Sequence, residues 1–469
     1  MVARSRWLGG SLLALCSLCT LGFVATFLLW FAVNSDRDYL HPILTQVIPA
    51  GHCACEAAAV FECSTCLTCS HLDRVAETPS STAEAWQFEY PRDAQNVALT
   101  QGQCAAGFPG LFEDVARGTA YWRTQGGLSS DELDAIPIHH GMGRAKIARG
   151  ELYVISVRAR GKDHRRKILA ALSAMHRALI GDPERSTRPD IEFVFSIEDK
   201  LAEVTDSMNP VWTLARTASE EAAWLMPDFG YWAWDHLHTT IGPYDQVVEQ
   251  AAIYDDLPWE EKQQQLVWRG KPSFAPKLRR ALMDATRDRP WADVQAVDWH
   301  HQKQSNVLKM EDHCRYIFIA HIEGRSYSAS LKYRQACRSV IVAHQLQYIQ
   351  HHHYLLIPSG PYQNYVEVAR DFSDLAEKLE PLLEEPARAE AIANNSVRAF
   401  RERYLTLAAE ACYWRALWDG YGSVFNSSQP QPESVPEMES RLGKSKQEQG
   451  LRYESFILRG SEEMLEFHS

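Results

Sequence analysis

The chain has 469 residues, 45% of them hydrophobic, with a formal net charge of −12. That is enough for two or three domains with proper cores, and the acidic balance without a basic stripe argues against nucleic acid as a partner. The fourteen tryptophans suit sugar rings as well as ordinary cores, and the count by itself favours cores.

Arg4 and Arg6 precede an uncharged run from Trp7 to Val33. A membrane-spanning helix needs about 20 apolar residues, whereas a cleaved signal core has about 7–15. Residues 7–33 therefore read as a transmembrane signal anchor. The positive flank is N-terminal, which predicts a cytosolic tail over residues 1–6 and a lumenal remainder, a single-pass type II layout. Residues 34–85 read as a Cys-rich stem. Five of the eleven cysteines fall between Cys53 and Cys69. In an oxidising compartment they are better read as disulfides than as a zinc site, and Cys104 brings that group to six. Two glycosylation triplets, at Asn394 and Asn426, fit a lumenal chain.

Strands then alternate with helices. "ELYVISVRA" (151–159) reads as a strand, "DHRRKILAALSAMHRALIG" as an amphipathic helix closed by Gly181, and "DIEFVFSI" (190–197) as a second strand. Another series begins with "QQLVWRG" (264–270). Pro276 opens a helix, and strands follow in "ADVQAVDW", "RYIFIAHI", "SVIVAH" and "YLLIP". Helix continues to about 422 across Pro381 and Pro386. Such alternation predicts parallel sheets. The expected layout is two α/β domains facing a cleft, 86–250 and 251–422, followed by a tail without regular structure over 423–469.

In open α/β sheets, ligands bind beyond the carboxyl ends of the strands, and four segments meet that condition or carry suggestive chemistry. "FVFSIEDK" runs into Glu198 and Asp199, where a carboxylate can take a proton from a hydroxyl or simply be solvated. "LVWRGKPSFAPKLRR" turns at Gly270 and surrounds a helix start with cations, which suits an anion or an ordinary cationic solvent face. "HIEGRSYSASLKYRQAC" repeats the design at Gly324, with a serine as the plain N-cap alternative. "MPDFGYWAWDH" holds an aromatic cluster that reads as a sugar wall or as a packed corner. Its Asp228-Phe229-Gly230 triplet spells a kinase magnesium motif, but no other kinase element accompanies it. His351 to His353 read as structural or exposed, because neighbours on a strand do not converge on one metal.

Taken together, "PDIEFVFSIEDK", "WLMPDFGYWAW", "LVWRGKPSFAPKLRRAL" and "CRYIFIAHIEGRSYSASLKYRQACRSVIV" resemble the CAP10-like glycosyltransferases of family 90. That family includes Rumi-type protein O-glucosyltransferases and fungal capsule xylosyltransferases, and the resemblance covers roughly residues 110 to 420. It implies a GT-B fold of two Rossmann-like domains, a UDP-glucose or UDP-xylose donor, and a glycan, glycolipid or protein acceptor. It also implies inversion at the anomeric carbon, no metal or other cofactor, and a Golgi or ER membrane location.

The resemblance assigns Asp199 as catalytic base and Phe229, Tyr231, Trp232 and Trp234 as the sugar and acceptor wall. It assigns Arg269, Gly270, Ser273, Lys277 and Arg279 to a first donor loop. Gly324, Arg325, Ser326, Tyr327, Ser328, Ser330 and Lys332 fall in the loop that holds the UDP phosphates. One departure stands out. The family pattern S-G-R-L-K-Y has an arginine where this chain has Ser330, with Arg325, Lys332 or Arg334 as possible substitutes. That departure keeps open a second expectation, a weak or inactive paralogue that binds a glycan or a partner protein.

Overall fold

A computed structural model describes residues 86–235, 240–297, 306–426, 450–459 and 466–468. The anchor, the stem and its five cysteines lie outside the described residues. Among those described, no helix is long and apolar enough to cross a membrane.

The described chain builds two large sheets and two two-stranded ribbons, Leu128–Ser129 with Phe425–Asn426 and Trp234–Asp235 with Thr240–Ile241. Among the helices that precede the first large sheet are α1 (Gln101–Gly107) and α2 (Glu113–Thr124). The first sheet then collects β1 (Met142–Ala148), β2 (Glu151–Arg158), β3 (Ile191–Ser196), β4 (Val211–Thr213) and β5 (Trp224–Leu225), with α3 (Gly161–Ile180) between β2 and β3. Both β2 and β3 pair antiparallel to β1, while β4 and β5 continue parallel to β3. The β2–α3–β3 unit therefore exists, but β1 lies between its strands and the sheet is mixed rather than parallel throughout. The sequence reading had no strand at β1, whose "MGRAKIA" carries only a weak alternation.

The second sheet is parallel in every pairing. It contains β6 (Gln263–Gly270), β7 (Ala292–Ala296), β8 (Tyr316–His321), β9 (Val340–His344) and β10 (Val366–Val368) in the order β7-β6-β8-β9-β10. Its helices are α4 (Tyr244–Ala252), α5 (Pro276–Ala285), the single turn α6 (Leu331–Arg334), α7 (Leu375–Glu384) and α8 (Pro386–Ser396). The expected strand at "YLLIP" is absent; His353–Leu355 form a 3-10 turn instead.

Lobe boundaries differ from the expected ones. Helix α4 packs in the core of the second lobe, with Tyr244, Val247 and Val248 beside Tyr316 and Tyr333. Helix α9 (Leu407–Gly422) returns to the first lobe, where Trp414, Trp418 and Tyr421 join Trp212 and Trp224. The rings of Phe193 and Trp212 stack at 3.8 Å. Completely buried indoles of this kind put much of the tryptophan content in the cores. The tail is also partly built in. β11 (Leu451–Arg452) and β12 (Glu466–His468) both pair with the edge of β2, and between them α10 (Tyr453–Ile457) buries Tyr453 and Phe456. Covering an edge strand in this way satisfies its free backbone groups.

Cys104 does not join the stem group. It is bonded to Cys412 and staples α1 to α9, while Cys314 is bonded to Cys337.

Candidate functional site

The strand order of the second sheet reverses between β6 and β8, since β7 lies outside β6 while β9 and β10 follow β8. In open α/β sheets a crevice forms at such a switch point, beyond the strand ends. The residues there are Gly270 and Lys271 after β6, and Ile322 to Gly324 after β8. These are the two turns that the sequence reading singled out.

Arg279, from the first turn of α5, holds both turns. Its Nε donates to the Glu323 carbonyl at 3.1 Å and its Nη1 to the Lys271 carbonyl at 2.7 Å. The guanidinium lies over the rings of Trp268 and Phe274. It is buried, has no acidic partner among the described residues, and is pushed down to about 10 by burial. Arg269 is different. It bonds the Asp293 carboxylate at 2.7 Å and the Asn306 carbonyl, fastening β6 to β7. Ser273 and Lys277 are exposed at the start of α5. That helix has Pro276 in its first turn and no side-chain cap, so backbone N–H groups are left open there.

The Gly324 loop is not a helix entry of the kind expected. α6 is four residues long, too short for a meaningful dipole, and Ser330 makes no capping bond. Ser328 and Ser330 bond each other at 2.8 Å, and the Ser326 hydroxyl is completely buried without a partner. Glu323 fixes the start of the loop by accepting from the Gln347 and Tyr348 backbones and pairing with Arg370 at 2.8 Å.

Of the three cations considered as substitutes for Ser330, two are committed elsewhere. Arg325 reaches across to Glu203 of the first lobe with two 2.8 Å bonds. Lys332 is 1% exposed and bonds both oxygens of Asp228, at 2.7 and 2.8 Å. Arg334 is buried without an acidic partner among the described residues.

The Lys332–Asp228 pair explains the aromatic segment. Asp228 also accepts from the Gly230 N–H at 2.7 Å, and Tyr333 donates to the Gly230 carbonyl at 2.9 Å. A Cβ at Gly230 would come within 2.6 Å of the Lys332 nitrogen and 2.7 Å of the Tyr333 hydroxyl, so a larger residue would have to displace them. Phe229 and Tyr231 are core residues at 3% and 1% exposure. Trp234 packs on Phe229 and Tyr333, and Trp232 stacks under Arg177 of α3. Phe229 and Tyr231 thus belong to a packed corner joining the lobes, while Trp232 stays 40% exposed.

Asp199 follows the carboxyl end of β3 and is half-buried. Glu198 beside it is held above the ordinary carboxylate range by burial and by the Asp199 charge, and it lies 3.4 Å from His164 Nε2. The Asp199 field also reaches Arg325 and the buried Tyr327 phenol. The end of β3 and the loop after β8 therefore face each other, tied by Arg325 and Glu203. The histidine run lies nearby, with His351 and His352 buried and His353 half-buried. Among the described residues no histidine, cysteine or carboxylate group converges as a metal site.

Comparison with known proteins places the sequence in a family. The family model "Glycosyl transferase family 90" matches residues 100–463. The chain is 27% identical over 235 residues to an "O-glucosyltransferase rumi homolog" of Aedes aegypti, covering 46% of this chain and 56% of that protein. It is 23% identical over 258 residues to "Protein O-glucosyltransferase 1" of Rattus norvegicus and to that of Homo sapiens, in each case covering 51% of this chain and 64% of the relative. The matched region thus spans less than two thirds of each of these relatives.

Proposed function

The chain belongs to glycosyl transferase family 90, and from that premise we propose that it moves glucose or xylose from a UDP-sugar to an acceptor hydroxyl. In this reading the two lobes form a GT-B arrangement, with the nucleotide over the Gly270 and Gly324 turns. The acceptor enters from the first lobe, where Asp199 takes the proton of its hydroxyl. Attack on the anomeric carbon and departure of UDP occur in one inverting displacement. The leaving diphosphate gains negative charge, and without a metal it is met by fixed cations and backbone N–H groups. Arg279 is the first of these cations. In the cell the chain works from a Golgi or ER membrane, held by residues 7–33.

One juxtaposition carries the reading. A half-buried carboxylate at the end of β3 faces a loop at a topological switch point, and that loop is backed by a buried cation without an acid. A buried unpaired charge is costly, so an anion arriving at this position is favoured. Two relatives named for O-glucosyl transfer support the sugar-transfer part. The test is UDP release by the purified chain from UDP-glucose and UDP-xylose, with and without a chelator. Release that persists in chelator supports the proposal, and no release with any acceptor class refutes it.

Ser330 favours a rival. The serine hydroxyl bonds only Ser328 among the described residues, and Lys332 and Arg325 are tied to acids. A protein that binds the donor or a glycan but turns over weakly would show UDP-induced stabilisation without UDP release.

A further inference from the structure

Two guanidinium groups are buried at the end of β8, and neither has an acid among the described residues. Arg279 is satisfied by two carbonyls and two rings. Arg334 is not. Of its five N–H donors, Nη1 meets His321 Nδ1 at 3.2 Å, and Nε is buried with no partner. His321 is held neutral by burial and by the nearby Arg334 charge, so it accepts from the arginine rather than competing with it. Arg334 itself is pushed down to about 9 by burial, and Arg279 adds repulsion. The fold thus buries two positive charges that repel each other, and among the described residues neither has a negative partner. A buried ion without a counter-ion is strongly disfavoured, so such an arrangement makes sense when a ligand brings the charge.

The backbone locates what Arg334 serves. Its N–H bonds the Ser330 carbonyl at 3.1 Å, which puts the two residues one helical turn apart on one face. Long side chains on a helix lean toward its N-terminus, so a guanidinium rooted at 334 extends back toward the level of 330. Ser330 belongs to the same loop as the buried, unpartnered Ser326 hydroxyl. A Cβ on Gly324 in the same loop would stand 3.5 Å from Arg279 Nη2.

We propose that Arg334 is the second cation of the anion site at this switch point, binding the diphosphate of the donor from one turn beyond Ser330. The inference rests on the reading that this crevice holds a nucleoside diphosphate. Arg334 binds the leaving group, with His321 Nδ1 orienting its fork and Ser326 offering a hydroxyl to the same oxygens. Ser330 is then no defect, because the charge has moved to the next turn of the same face.

The experiment compares full-length chain with Arg334→Leu, Arg334→Gln and the double variant S330R/R334L, using UDP and inorganic pyrophosphate as probes in calorimetry and thermal melting. Wild type binds UDP. Both single variants lose affinity by roughly 10- to 100-fold, the scale of a charge-assisted contact. Arg334→Leu without ligand melts no lower than wild type, because an unmatched buried charge has gone; an arginine with only a structural role would lower it. The double variant regains UDP binding. Arg334→Gln decides the same comparison if the leucine variant does not fold. Wild-type affinity for UDP in the single variants overturns the role of Arg334 and leaves the donor-site reading standing. A wild-type chain that binds neither UDP nor pyrophosphate overturns both.

Discussion

Replacing Lys332 by methionine isolates the joint between the lobes. The change keeps the length of the side chain and leaves the Asp228 carboxylate, 2% exposed, with only the Gly230 N–H. Removing one partner of a buried ion pair costs about 3–5 kcal/mol, whereas removing both charges together is often close to neutral. The ammonium also lies 4.4 Å from the centre of the Tyr333 ring, which adds a cation–π contribution of about 1–2 kcal/mol when desolvated. The expected loss for Lys332→Met is therefore about 4 kcal/mol, a large part of an ordinary domain stability of about 5–15 kcal/mol. Asp228→Leu combined with Lys332→Met should recover most of it. Urea unfolding followed by tryptophan fluorescence reads both, as a shift in the first transition. If Lys332→Met costs less than about 1 kcal/mol, the pair is not a structural lock. A variant that keeps its stability but binds UDP weakly would return Lys332 to the phosphate site assigned from the sequence.

Three further outcomes are expected. Asp199→Asn should abolish sugar transfer while UDP affinity stays within a factor of about two, since the amide cannot take a proton; transfer at the wild-type rate would remove Asp199 as the base. Burial holds His351 down to about 3 and His313 to about 4, against about 6.5 in the unfolded chain. The unfolded state therefore binds the extra protons, and stability should fall as pH drops below about 6.5. Each residue contributes about 1.4 kcal/mol by pH 5.5, so the urea midpoint should drop measurably between pH 7.5 and 5.5, and an unchanged midpoint would contradict the buried neutral state. Replacing Cys314 and Cys337 by serine opens a loop with a sequence separation of 23 and should cost about 3 kcal/mol. The bond ends just beyond α6, so UDP affinity should weaken as well, and calorimetry that finds it unchanged would show that the Gly324 loop holds itself.

Much of the second lobe was legible because its central strands β8 and β9 are fully buried, and its two turns carry glycine at strand ends. The switch point was not legible, since strand order depends on pairings far apart in the chain. The first lobe was harder. β1 carries Gly143, Arg144 and Lys146 and reads as a loop, yet it is the strand on which the mixed sheet is centred. Among the cations, residue type could not tell Lys332 from Arg334. What separates them is Asp228, 104 residues before Lys332, which neutralises one and leaves the other bare. Likewise Phe229 and Tyr231 read equally as wall or core until the contacts of Gly230 fix the segment against Tyr333.

The path of the chain also sets an order of assembly. The second lobe is one continuous stretch, whereas the first is interrupted by it and completed by α9 and the tail strands. A chain emerging from the ribosome presents β1 to β5 long before Trp414 and Trp418 exist to fill their core. The bond between Cys104 and Cys412 spans a sequence separation of 308 and can form only once the whole second lobe has been made. Until then the first lobe exposes an apolar sheet face and an unpaired edge at β2, the kind of surface that aggregates. The tail strands, made after α9, thus close the first lobe, and a truncation at residue 423 should reveal itself as a folding defect while α9 remains intact.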